Sequence, residues 1–210
     1  MNYKEKVAEK LLEIGAVTLS PNEPYTWASG IKSPIYCDNR LTISYPEIRD
    51  LIATGMKELI DEKFSDVEVI SGTATAGIPH AAFVSQKMNL PMTYVRSSSK
   101  GHGKKNQIEG KLEKGANTVV IEDLISTGGS SLKVVETLRE NQVNVLGLVA
   151  IFTYNFQEAV DRFKKNNTLF YTLTDYDTLI KVALDREYIT ENELNILKEW
   201  KKAPKTYYGK

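Results

Sequence analysis

Thr118 to Ser131 runs TVVIEDLISTGGSS: a β-branched apolar stretch, two adjacent acids, then a turn of small and hydroxyl residues that leads into helix-forming sequence. Val119, Val120 and Ile121 predict a short strand covered on both faces, because the alternation of a half-exposed strand is missing. Glu122 and Asp123 then fall at the carboxyl end of that strand, where open α/β sheets hold ligands and where carboxylates can accept hydrogen bonds from sugar hydroxyls. Ser126, Thr127, Gly128, Gly129 and Ser130 supply hydroxyls, unobstructed N–H groups and the positive end of the following helix, a set suited to a phosphate. A polar strand end with a tight strand-to-helix turn would use the same residue types. The order strand, acid pair, small hydroxyl loop, helix is what favours a cradle for a sugar phosphate.

Working outward, the periodicity alternates between strand and helix. Strands are predicted at Val67–Ser71, Met92–Val95, Val119–Ile121, Val145–Phe152 and Leu169–Leu173, and helices at Pro46–Lys63, Ile78–Met88, Leu132–Glu140 and Phe156–Lys165. Strands separated by helices at these spacings imply right-handed βαβ units, hence an α/β fold with a Rossmann-like parallel sheet flanked by helices. Val7, Leu11, Leu12 and Ile14 repeat like one face of an opening helix, and Leu19 to Arg40, punctuated by Pro, Ser and Gly, predicts a small N-terminal cap or hood. Asp175–Arg186 and Thr190–Lys201 predict terminal helices, the second with a Thr190/Glu193 capping box that completes the hood or the core packing. The tail KKAPKTYYGK is expected to fray. The expected organisation is a single domain over 1–210, with the core sheet in about 65–175 and a mobile loop at 96–110.

At 210 residues the chain is long enough for one such domain with an elaboration. Basic and acidic side chains number 27 each, which disfavours a polyelectrolyte partner such as nucleic acid. The N-terminus carries charges through its apolar positions, unlike a signal peptide, and the longest apolar run, Val145–Phe152, falls far short of the roughly 20 residues that span a bilayer. A soluble, cytoplasmic protein is expected. Cys37 is the single cysteine, so no intramolecular disulfide and no cysteine metal cluster is available, and a packing role is expected for it. The two histidines are His80 and His102. Between Val95 and Thr118, RSSSKGHGKKNQIEGKLEKGAN is too polar to pack as core. It predicts a long lid-like loop whose Arg96, Lys100, His102, Lys104 and Lys105 suit a diphosphate.

The Glu122–Ser130 segment, Leu124 and Ile125 included, resembles the phosphoribosyl diphosphate (PRPP) binding motif of type I phosphoribosyltransferases. The order RSSSKGHG followed by IEG is similar to the catalytic loop of orotate phosphoribosyltransferases, which in that family reaches across a dimer into the neighbouring subunit's site. That resemblance implies a homodimer in which Arg96, Lys100 and His102 meet the PRPP diphosphate in trans. It makes Asp123, Lys100 and His102 the catalytic candidates, the last two assisting the departing oxygen. Ser71–His80, SGTATAGIPH, resembles the loop after the first core strand that wraps the diphosphate through backbone groups, which brings Thr75 and Ala76 to PRPP. Tyr25–Arg40, with TWASG, KSP and IYCDNR, resembles the pyrimidine-holding region of the orotate enzymes. There Tyr36 can stack on a base and Arg40 can meet a carboxylate, although ordinary packing and a surface ion pair would look alike. Ser126 is implied to lie near both phosphate and orotate.

The chain departs from the family pattern where lysines are usual, at Ala28, Ala76 and Ser97; Lys32, Lys104 and Lys105 are the available substitutes. The implied reaction joins orotate to PRPP, giving orotidine 5′-monophosphate and diphosphate in pyrimidine biosynthesis. Mg²⁺ is expected as the cofactor, held mainly by PRPP oxygens and not by a protein cage. Two other readings stay open. A purine phosphoribosyltransferase would share the cradle but lack IYCDNR and this loop. A non-catalytic PRPP-sensing regulator of the same fold would add a basic helix-turn-helix or a basic face.

Overall fold

The computed structural model describes residues 2–27, 29–97 and 107–209. Helix α1 (Tyr3–Glu13) starts at a reciprocal cap: the Asn2 side chain accepts from the Glu5 N–H, and the Glu5 carboxylate accepts from the Asn2 N–H. Four short strands follow, β1 (Val17–Leu19), β2 (Tyr25–Thr26), β3 (Lys32–Ser33) and β4 (Ile35–Cys37). They form two antiparallel pairs, β1 with β4 and β2 with β3, which is the predicted hood. A 3-10 helix, Asn39–Ser44, leads into α2 (Pro46–Lys63), which has the predicted bounds and carries its proline in the first turn, where the missing N–H costs nothing.

The core sheet contains β5 (Val69–Thr73), β6 (Met92–Val95), β7 (Ile108–Glu109), β8 (Asn117–Ile125), β9 (Asn144–Thr153) and β10 (Phe170–Asp175), with α3 (Gly77–Met88), α4 (Gly129–Glu140) and α5 (Gln157–Lys165) between them. Its order is β10-β9-β8-β5-β6-β7, parallel throughout except for β7, which runs antiparallel to β6. From β5 the chain builds outward to one side and then returns to lay β8 against the other side of β5. The β5/β8 boundary is therefore the switch point at which open α/β sheets leave a crevice. The strand pleat divides the apolar run of β8 between two cores. Val119 and Ile121 pack on the side of α2 and α3, and Val120 packs with Val135, Leu138 and Phe163 of α4 and α5. Helices α6 (Tyr176–Asp185) and α7 (Glu191–Lys202) close the first side. The predicted Thr190/Glu193 capping box is present. Among the described residues no helix is long and apolar enough to cross a membrane.

Three expectations need correction. Strand β8 does not stop at Ile121: its ladder to β9 continues through Glu122↔Ala150 to Ile125↔Thr153. The polar stretch after β6 is not all loop, because Ile108 and Glu109 pair with Val95 and Tyr94 and close the sheet edge. The tail does not fray: the Tyr208 hydroxyl donates to the Pro21 carbonyl at 2.7 Å and the Lys205 amine pairs with Glu158 at 3.1 Å.

Gly147 of β9 sits opposite Val119, next to a break in the β8/β9 register. A methyl there would fall 2.4 Å from Cζ of the buried Phe64 and 2.9 Å from the Leu169 carbonyl, which is backbone and cannot swing away. Gly147→Ala is expected to cost about 1–3 kcal/mol through overpacking, read as a lower urea midpoint at unchanged slope.

Candidate active site

At the β5/β8 switch point lies a cavity of about 590 Å³. Thr73, Ala74, Thr75 and Ala76 line it after β5, Arg96 and Ser97 after β6, and Glu122, Asp123, Leu124 and Ser126–Ser131 along β8 and the start of α4. The ladder explains its position. Pairing of β8 with β5 ends at Gly72↔Ile121, whereas pairing with β9 runs four residues further, to Ile125. Glu122 and Asp123 are thus held rigidly on one side while the other side opens into the crevice.

The two acids start from opposite sides of the pleat, yet both line the cavity and their carboxyls come close enough to share a hydrogen bond. Glu122 turns toward α4, where its carboxylate accepts from the Ser131 hydroxyl and the Asp123 N–H, each at 3.0 Å, and only 6% of the residue is exposed. Burial foremost, then the hydrogen bond it shares with the Asp123 carboxyl and that group's charge, push its carboxyl up to about 8. Asp123 lies on the side of α3 and the hood. The Asn39 amide donates to its backbone carbonyl at 2.8 Å, and the Cys37 thiol donates to Asn39 Oδ1 at 3.4 Å. Burial, with Asp123 and Asp38 nearby, pushes the Cys37 thiol up, so this sulfur stays protonated and fits a packing role. His80 of α3 is 1% exposed and neither ring nitrogen has a hydrogen-bond partner among the described residues; burial draws its pKa down to about 4 against the pull of Asp123, leaving a neutral core imidazole.

After Ile125 the chain turns through Ser126 and Thr127 to Gly128, whose φ of 77° is the left-handed conformation a glycine adopts freely. A side chain on Gly128 would also meet Phe163 Cε2 at 2.6 Å. Helix α4 starts at Gly129, and its first N–H groups and positive dipole end face the cavity wall formed by Ser130 and Ser131. On the opposite wall Gly77 opens α3. A methyl there would lie 2.4 Å from Thr73 Oγ1 and 2.5 Å from the Ile121 carbonyl, so its absence lets the Thr75–Ala76 turn sit directly on β8.

Arg96 lines the cavity with its guanidinium 3.6 Å from Glu109, and its backbone N–H donates to the Gln107 carbonyl at 2.9 Å. Lys100, His102, Lys104 and Lys105, with Ala28 of the hood, lie outside the described residues. Tyr36 and Arg40 are not among the cavity residues. Tyr36 is half-exposed beside Tyr25, with ring centroids 5.8 Å apart, and Arg40 forks onto Asp38 at 2.6 and 2.9 Å. The sequence reading missed Lys133, Gln107 and Asn39. Lys133 follows Gly129 by one helical turn, so helix phase alone could have found it; Asn39 has no local sequence signal. A second cavity of about 620 Å³ shares Ser126 and Thr127 with the first and extends under the hood to Trp27, Ile31 and Phe156. Among the described residues no group of three or more His, Cys, Asp or Glu side chains gathers as metal ligands.

A strand-end carboxylate facing a hydroxyl-rich anion loop, on a doubly wound sheet, defines the phosphoribosyltransferase class of sites, and the phosphoribosyl transferase domain matches residues 44–178. The orotate phosphoribosyltransferase of Listeria innocua is 59% identical over 207 residues, covering 99% of each chain. Among solved structures, the UMP synthase of Leishmania donovani superposes with a TM-score of 0.82 at 26% identity, over 96% of this chain and 42% of that one. The orotate phosphoribosyltransferase of Mycobacterium tuberculosis in complex with PRPP gives 0.67 at 20% identity, over 85% of this chain and 99% of that one. The chain belongs to the orotate phosphoribosyltransferase family.

The raised carboxyl of Glu122 has a consequence for stability. A carboxyl whose folded pKa lies above its ordinary value stabilises the fold below about 4.5, and that contribution is lost as pH rises through about 8. Glu122→Gln keeps a carbonyl acceptor for the Asp123 N–H and turns an NH2 donor toward the Ser131 hydroxyl, which can accept, without the charge. It is expected to melt close to the parent at pH 5 and above it at pH 9, followed by circular dichroism.

Proposed function

We propose that the chain, as one domain over 1–210, transfers the 5-phosphoribosyl group of PRPP to orotate, giving orotidine 5′-monophosphate and diphosphate for pyrimidine nucleotide synthesis. The observation that carries this reading is the shared cavity at the β5/β8 switch point, with Asp123 on one side and the Ser126–Ser130 loop on the other. The 5′-phosphate takes the α4 end, where the Thr127, Ser130 and Gly129 groups supply hydroxyl and N–H donors. The ribose hydroxyls meet Asp123. The diphosphate lies against Thr75 and Ala76, with Arg96 as its cation on the described side of the loop. The base occupies the second cavity, which Ser126 joins to the first, and the 59% identical relative from Listeria supports orotate over a purine.

The ribosyl centre becomes oxocarbenium-like as the diphosphate leaves, so a fixed carboxylate near the ribose and cations near the leaving group divide the electrostatic task. Asp123 is suited to its part because β9 holds the residues on either side of it and Asn39 and Glu122 hold its own carbonyl and N–H, so no reorganisation is needed when charge develops. Glu122, buried toward α4, orients the Asp123 N–H and Ser131. Asp123, at the cavity, is the carboxylate that would help to hold a Mg²⁺ ion, which when bound would supply positive charge to the leaving diphosphate. Lys100 and His102 reach the diphosphate from the partner subunit of a homodimer, and each charge-assisted hydrogen bond they add is worth about 1.5–3 kcal/mol. The half-exposed Tyr36, Leu41 and Tyr45 beside the hood support such a pairing surface. The substrates are multiply charged metabolites that do not cross bilayers unaided, which supports a cytoplasmic enzyme.

PRPP-dependent loss of orotate absorbance tests the activity. Asp123→Asn is expected to lower kcat by about 10²-fold or more with an unchanged melting temperature, and wild-type kinetics in that variant would remove Asp123 from its role. Mixing Asp123→Asn with Lys100→Ala subunits is expected to restore activity through the heterodimer's one intact site. Subunit exchange without recovery would argue for a loop acting within its own subunit.

A further inference from the structure

The C-terminal segment is tied across the hood. After α7 it turns back on itself, with the Thr206 and Tyr207 N–H groups donating to the Ala203 carbonyl at 3.1 and 2.9 Å. Tyr208 is anchored to Pro21, and Lys205 to Glu158 at the start of α5. This path places Ala203, Pro204, Lys205 and Thr206 along the cavity of about 620 Å³ whose opposite side is Ser126 and Thr127 of the phosphate loop. Two apolar walls remain. Trp27 and Phe156 both belong to an aromatic cluster around Trp200, at 5.9 and 5.8 Å between ring centroids, and Trp200 is itself fixed by donating to the Lys32 carbonyl at 3.0 Å. The space is therefore flat-sided, rigid and continuous with the sugar-phosphate cradle.

Three lysines border it, and their partners distinguish them. Lys201 is paired with Asp177 at 2.6 Å and Lys202 with Glu199 at 2.6 Å. Lys205 is paired with Glu158, which also holds Arg162 at 2.7 Å. Releasing Lys205 leaves Glu158 still paired. An exposed ion pair of this kind contributes little, so exchanging one carboxylate for another there costs little. Lys205 is the cation of this cavity that can be lent to a ligand.

We propose that the C-terminal segment is the outer wall of the base subsite and that Lys205 receives the carboxylate of the planar acid bound there. The ring lies between the aromatic wall and the phosphate loop, and the carboxylate points outward to the segment. This assignment rests on orotate being the acceptor. It makes the last residues of the chain a specificity element for an acidic pyrimidine over a neutral one.

The test uses the full chain with Lys205→Ala and Lys205→Arg, and a chain ended after Lys202. KM for orotate, KM for PRPP and kcat are measured for each, with melting temperature as a control. Lys205→Ala is expected to raise KM for orotate about tenfold, the loss of one charge-assisted contact, with KM for PRPP unchanged, and Lys205→Arg to restore most of it. The shortened chain is expected to move KM for orotate further in the same direction. Unchanged KM for orotate in Lys205→Ala, or equal shifts for both substrates, would overturn the assignment even if the shortened chain fails to fold. If the parent protein consumes no orotate with PRPP, the reading of the reaction itself fails and this assignment with it. A parent that is active while Lys205→Ala is silent refutes the role of the segment alone.

Discussion

The arrangement depends on a mismatch of ladder lengths. Strand β8 is hydrogen-bonded on both sides only as far as Ile121; beyond that it leans on β9 alone while β5 has already turned away into α3. Four residues of extended backbone are thereby held at the mouth of the sheet with one side open. The backbone polar groups of buried strands need partners, and on the open side of this one the protein supplies them itself, the Asp123 carbonyl accepting from the Asn39 amide and the Asp123 N–H donating to Glu122. Everything chemical in the site is built on this overhang: the acid pair lies on it, the anion loop leaves from its end, and the N-terminus of α3 is drawn against it because Gly77 has no side chain.

The overhang also joins the hood to the core. The Asn39 amide reaches from the 3-10 helix to the Asp123 carbonyl, and Trp200 reaches from α7 to the Lys32 carbonyl, so the two hydrogen bonds bracket the hood from opposite ends. Each crosses a long sequence separation, and each ends on a backbone carbonyl that would otherwise go unpaired. Glu122 plays the opposite part inside the core. An acid buried on the α4 face is costly as a charge, and its two hydrogen-bond donors, Ser131 and the Asp123 N–H, offset only part of that cost. A site that keeps such a residue has sacrificed stability for the placement of its neighbour.

The sequence was most legible where a local rule decides the structure. Helix α2 begins at Pro46 and ends at Lys63 because a proline start and an unbroken apolar face need no tertiary help. The central strands β8 and β9 are legible because buried runs of Val, Ile and Leu have few other uses, and β6 and β10 follow from their aromatic and β-branched residues between helices. The continuation of β8 through Glu122 and Asp123 was not legible, since two acids argue against a strand until β9 is there to pair with them. Strand β7 has two residues, and nothing in Ile108 and Glu109 distinguishes it from the loop it interrupts. In the candidate site, Asp123, Arg96, Thr75, Ala76 and the Ser126–Ser130 loop are brought to one cavity as expected. Tyr36 and Arg40 stand at the rim, outside the lining of either cavity, with Arg40 paired to Asp38 and within electrostatic reach of Asp123. The tail was misread because the contact that orders it, Tyr208 to Pro21, spans 187 positions of chain.

The aromatic cluster under the hood has an optical side. The protein has two tryptophans, Trp27 and Trp200, and their rings meet edge to face at 5.9 Å, beside Tyr154 and Phe156. Indole emission shifts with the polarity and rigidity of its surroundings, and here both indoles share one environment at the border of the second cavity. The indole emission of the chain, which lies at longer wavelength than that of its 11 tyrosines, consequently originates from a single spot. The molecule carries a built-in, label-free gauge of how wet or dry that corner is, and the remainder of the fold stays dark at the same wavelength.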